Sequence, residues 1–107
     1  MAKYMVQATY SQSGVKGVLE RGGSARRAAW EQLTREIGGK LESFYYTFGE
    51  DDVALIVEAP DNISMAGALL AVGAAGAATR IRTTVLLTPE EIDQATQEKV
   101  AYRAPGQ

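Results

Sequence analysis

The stretch Lys40–Pro60 reads KLESFYYTFGEDDVALIVEAP. It runs as an aromatic segment, an acidic turn and a second segment that carries no further charge until Glu58. The spacing predicts a strand from about Lys40 to Phe48, with Leu41, Ser43, Tyr45 and Thr47 on one face and Glu42, Phe44, Tyr46 and Phe48 on the other. Gly49-Glu50-Asp51 supplies turn chemistry. The following strand, Asp52 to Ala59, has VALIV at its centre. Apolar side chains on both of its faces require cover on both, and helices can cover only one.

Outward from this hairpin the pattern repeats. Residues 3–10 (KYMVQATY) alternate and predict a first strand. After a turn at Ser11 to Gly14, Val15, Val18 and Leu19 give helical spacing over one or two turns, closed by Gly22-Gly23. Ser24 is the expected N-cap of a long helix, Ala25 to Ile37, whose inward stripe is Ala29, Trp30, Leu33 and Ile37. Gly38-Gly39 ends it. Beyond Pro60, Asp61 or Asn62 caps a second long helix through about Ala77, with Met65, Leu69 and Val72 inward. Gly67, Gly73 and Gly76 each weaken that helix by up to about 1 kcal/mol relative to alanine, and the expected compensation is close approach of the helix to the sheet. Thr79 to Leu87 predicts the fourth strand. Thr88-Pro89-Glu90-Glu91 is a capping box with proline at the first helical position. A loose tail is expected at 103–107.

The expected class is therefore α+β, a ferredoxin-like βαββαβ domain over residues 1–102. It has a four-stranded antiparallel sheet, two long helices on one face, a short extra helix after the first strand and a C-terminal helix. The sheet's other face is left open. Burying about 400–600 Å² of it against a second copy would contribute roughly 10–15 kcal/mol before association costs, so the expected partner is the chain itself, as a homodimer or a higher oligomer.

Composition narrows function. The 107 residues suit one domain. With no cysteine and no histidine, disulfides, thiolate nucleophiles, Cys/His zinc sites and imidazole-relayed triads are excluded. A net charge of −2 argues against nucleic acid as a partner, and Arg21, Arg26 and Arg27 read as a solvated helix start. MAKYMVQATY lacks a signal peptide's apolar run. Ala66–Ala78 is too short to span a membrane, so the expectation is a cytoplasmic protein that uses no membrane.

The acidic turn invites a metal, but successive residues do not converge on one point, and the spacing of a calcium loop is absent. The expected roles are Glu50 and Asp51 in solvent and Asp52 bonded to the turn backbone, with no metal and no cofactor. Tyr10, Tyr45 and Tyr46, with Glu58 and Arg82, can form a polar patch in or beside a sheet face. A buried Arg82 would need Glu58 or Asp52 as partner. Either a small cavity there holds a polar ligand, with Tyr10, Tyr46, Asp52, Glu58 and Arg82 as its residues, or the pair is structural. Gly73-Ala-Ala-Gly76 sits late in a helix and is no phosphate loop. No residue is assigned a catalytic role.

The run FYYTFGEDDVALIVEAPD, the small-residue helix, RIRTTVLLTPEE, and also YSQSGVKGVL, GGSARR and YRAPG resemble the GYD-domain family of small bacterial and archaeal proteins. The family's Gly-x-Tyr-Asp turn reads Gly49-Glu50-Asp51-Asp52 here, so Gly49 and Asp52 fit the motif and Asp51 stands in place of tyrosine. The resemblance implies a dimeric α/β barrel of the ferredoxin-like superfamily, and implies fold and assembly more than a reaction. The expected function is small-molecule binding or a regulatory or stress role. The alternatives are a cofactor-free enzyme of monooxygenase or isomerase type, and an assembly module. An enzyme would need a cavity between helices and sheet in which Tyr, Asp and Arg converge.

Overall fold

In the first strand alternate residues part company: Tyr4, Val6 and Ala8 are buried, whereas Lys3, Met5 and Gln7 are only half-covered. That alternation defines a helix face and an open face for the whole sheet. The computed structural model describes residues 1–107. Its elements are β1 (Ala2–Tyr10), α1 (Gln12–Arg21), α2 (Gly23–Glu36), β2 (Lys40–Tyr46), β3 (Val53–Ala59), α3 (Asn62–Ala74), β4 (Ala78–Leu86) and α4 (Pro89–Ala95). The four strands are antiparallel in the order β2-β3-β1-β4, the ferredoxin-like arrangement.

The core lies between this sheet and the long helices. Tyr4, Val6 and Ala8 of β1 and Val53, Leu55, Val57 and Ala59 of β3 meet Trp30 of α2 and Met65 of α3. In β3 the expected need for cover on both faces resolves cleanly: Leu55 points to the helices and Ile56 to the open face. In β4, Ile81, Thr83 and Val85 register with Ala8, Val6 and Tyr4 on the helix side, and Arg80, Arg82 and Thr84 take the other.

Several local expectations are corrected. The register of β2 shifts between Leu41 and Ser43, a bulge that inserts one residue and flips the rest of the strand. Leu41, Phe44 and Tyr46 consequently share the helix face, opposite Val57, Leu55 and Val53. The strand also ends at Tyr46 rather than Phe48. Helix α1 has ten residues rather than one or two turns, capped by Ser11 accepting from the Gly14 amide. Helix α2 starts at Gly23, not after Ser24: Gly22 alone joins the two helices, with φ +83°, a left-handed conformation that suits glycine. Asp61 caps α3 by accepting from Ser64 N at 2.8 Å, while Asn62 accepts from the Tyr4 hydroxyl. The Thr88/Glu91 capping box of α4 forms as read.

Close approach does not explain the glycines of α3 and the turn after it. A Cβ at Gly67, Gly73 or Gly76 would meet nothing within 4 Å. The small residues of this helix leave room instead of closing it.

Beyond Leu86 little of the chain is buried. Every residue from Pro89 onward is exposed, including Ile92, Val100 and Tyr102. The radius of gyration is 17.0 Å, against about 13 Å for a compact chain of this size.

Candidate functional site

The stripe that brings Trp30 and Leu33 inward on α2 also carries Arg26, four residues before Trp30. Of the basic trio, Arg21 and Arg27 are exposed, but Arg26 is half-buried. Its guanidinium carbon lies 5.9 Å from the centre of the Tyr10 ring, within reach of a cation–π contact. Its Nε is buried without a hydrogen-bond partner. The chain's ion pairs are made by Lys3, Lys40 and Arg82, so Arg26 has no carboxylate of its own.

Arg26 lines a cleft of about 220 Å³ between α2 and α3, together with Ala29, Trp30, Leu33, Ala71, Val72, Ala75 and Ala77. Alanines at four of these positions are too short to fill the gap between the helices. Arg26, Ala29 and Ala77 continue into a second hollow with Lys16, Arg21 and Glu20, so the apolar cleft opens onto a mouth with an excess of positive charge.

On the other side of Arg26, three of the residues expected to form a patch do meet. Tyr10, Tyr46 and Asp52 line a shallow hollow with Val15, Val18 and Phe48. Asp52 accepts from the Tyr10 amide at 2.8 Å: its carboxylate bonds backbone at the end of β1, not the expected backbone of its own turn. Tyr46 donates to the Gly23 carbonyl at 3.0 Å. Burial, and then the neighbouring Tyr10 phenol, raise the Tyr46 pKa above its ordinary value, with Arg26 acting in the opposite sense. Tyr10 lies close enough to contribute, yet its hydroxyl makes no well-formed hydrogen bond and is buried.

Glu58 and Arg82 lie elsewhere. Glu58 sits on the open face, 3.6 Å from Lys40, beside a Lys3–Glu42 pair at 2.9 Å. Arg82 pairs with neither Glu58 nor Asp52: its partner is Asp51. The expectation of a solvent-facing Asp51 is thereby corrected. It is 5% exposed, donated to by Arg82 and by the Thr9 hydroxyl at 3.2 Å. The Arg82 hydrogen bond and charge, with Thr9, hold the Asp51 carboxyl below its usual range against the opposing pull of burial. Asp51 and Asp52 thus serve different partners. No group of three metal-ligating side chains is brought together.

Arg26 was legible only in part. Its place on the Trp30–Leu33 stripe was visible at helical spacing, but its membership of a basic cluster suggested solvent.

Solved structures of similar fold include FFRP-DM1, with a TM-score of 0.58 and 14% identity over 81% of this chain and all of that one. MtbAldR gives 0.57 and 19% over 97% of this chain, which spans 58% of that longer protein. TTHA0845 from Thermus thermophilus gives 0.53 and 13%, covering 82% of this chain and 95% of the other. At these identities the likeness is one of fold. No curated protein matches the sequence significantly. The GYD-domain family model matches residues 4–96, nearly the whole of the folded part, and the chain belongs to the GYD-domain family.

Proposed function

We propose that this protein is a self-associating small-molecule-binding domain with a regulatory or stress-related role, rather than a catalyst. The observation that carries the binding reading is the cleft between α2 and α3. It is mostly apolar with one cationic group at its edge, and none of its lining residues is a tyrosine or a carboxylate. Few polar groups in an otherwise apolar concavity is the usual make-up of a ligand site. The catalytic alternative asks for Tyr, Asp and Arg converging in that cavity. Tyr10, Tyr46 and Asp52 lie in the neighbouring shallow hollow, where Asp52 is committed to the Tyr10 amide and the Tyr46 hydroxyl to the Gly23 carbonyl.

Self-association is supported by the sheet's uncovered side. Met5, Ala54 and Ile56 form an apolar centre there, between the Lys3–Glu42 and Lys40–Glu58 pairs at one end and the Asp51–Arg82 pair at the other. The segment from Pro89, exposed along its whole length, supplies further apolar surface in Ile92, Val100 and Tyr102. A dimer through the open face leaves the cleft, on the opposite side, accessible.

A thermal-shift screen of metabolites, combined with light scattering, tests both parts. The expected outcome is a dimer or larger for the wild type, monomers or insoluble protein for Ile56→Lys, and at least one stabilising metabolite. A monomeric wild type, or an Ile56→Lys variant with unchanged scattering, contradicts the assembly. A broad screen without a hit contradicts the binding.

A further inference from the structure

We infer that the cleft between α2 and α3 takes a short monocarboxylate, its apolar tail among the alanines and Trp30 and its carboxylate on the Arg26 guanidinium. The inference deepens the binding reading above and rests on it.

The tail is argued from size and lining. Seven of the eight lining residues are apolar, and the free volume is about 220 Å³. An apolar cavity of about 150 Å³ takes benzene, so the cleft has room for a ring or a short chain. Trp30 and Leu33 form the floor of larger side chains. Ala71 and Ala75 of α3 and its following turn face Ala29 of α2 across the space.

The head group is argued from charge. Arg26 is the only charged residue in the lining. Its Nε is buried and unpartnered, and it belongs to no ion pair. With no internal carboxylate to displace, the guanidinium would give an anion that meets it in the cleft a charge-assisted bond. Towards solvent, Lys16 and Arg21 outnumber Glu20, which favours entry of an anion over a cation. A neutral ligand of the same shape would forgo that charge-assisted bond, and the seven apolar lining residues offer a second carboxylate no side-chain donor. One charge on a short apolar body is what remains.

Calorimetric titration with hexanoate and with 1-hexanol tests this. The expected result is hexanoate binding at least about tenfold more tightly than hexanol, the difference one charge-assisted bond supplies. Arg26→Gln should bring the two affinities within about threefold of each other, and Arg26→Lys should restore part of the preference. Ala75→Leu, which fills the cleft and leaves Arg26 in place, should remove binding of both. Equal affinities in the wild type, an unchanged ratio in a folded Arg26→Gln variant, or undiminished hexanoate binding by Ala75→Leu would overturn the inference. If neither probe binds while the metabolite screen returns a hit of another class, the monocarboxylate assignment fails and the binding reading stands. If the screen is silent too, both fail.

Discussion

The layer between sheet and helices has two halves that differ in how they are filled. At its centre Val6, Leu55, Val57 and Met65 are each no more than 2% exposed, and large side chains from both strands and helices interdigitate. Between the C-terminal part of α3 and the middle of α2 the facing residues are alanines, and a cleft remains. Both halves read as apolar in sequence. The difference is side-chain volume, and it separates the part that holds the fold together from the part available to a ligand.

The strongest way to break this contrast is to exchange the two situations. Leu55→Ala should cost about 2–5 kcal/mol in denaturant unfolding, since it opens a cavity in the packed half. Ala75→Leu should be neutral or gain up to about 2 kcal/mol, since it fills one already present. Equal losses from the two would erase the distinction.

Acid unfolding sharpens the contrast between the neighbouring carboxylates of the turn. The pKa of Asp51 is lowered in the folded state, so its contribution to stability is present above its unfolded pKa, near 3.8, and is lost as pH falls through the folded value. Asp51→Asn should therefore flatten the fall in stability below about pH 4 and lower stability at neutral pH. A profile parallel to the wild type would contradict the Arg82 pairing.

The smallest expected effects come from the glycines beside the cleft. Gly67→Ala and Gly73→Ala add a Cβ in open space within a helix and should each stabilise by about 0.5–1 kcal/mol. Gly76, at φ +78°, should instead lose stability on the same change. Losses at Gly67 and Gly73 would mean that α3 does pack closely there.

Much of this arrangement was legible in the chain. The two-sided apolar character of β3, the division of β4 into an Ile81-Thr83-Val85 face and an Arg80-Arg82-Thr84 face, and the Thr88-Pro89-Glu90-Glu91 cap are local signals, and the structure keeps them. What escaped depends on distant partners or on space. The β2 bulge has no residue signature and flips Leu41 relative to the expected pattern. Asp51 is buried only because Arg82 and Thr9 arrive from other strands. The glycines and alanines of α3 are equally compatible with contact and with a gap, and only the placement of α2 decides between them.

A short carboxylate should enter the cleft between α2 and α3 and leave the open face of the sheet untouched. Titration of isotope-labelled protein with hexanoate, followed by amide chemical shifts, reads that location residue by residue. The predicted result is a set of shifts concentrated at Arg26, Ala29, Leu33, Val72 and Ala75, with Met5, Ala54 and Ile56 of the open face unmoved. Shifts confined to the open face, or none at the cleft residues at saturating hexanoate, would contradict it.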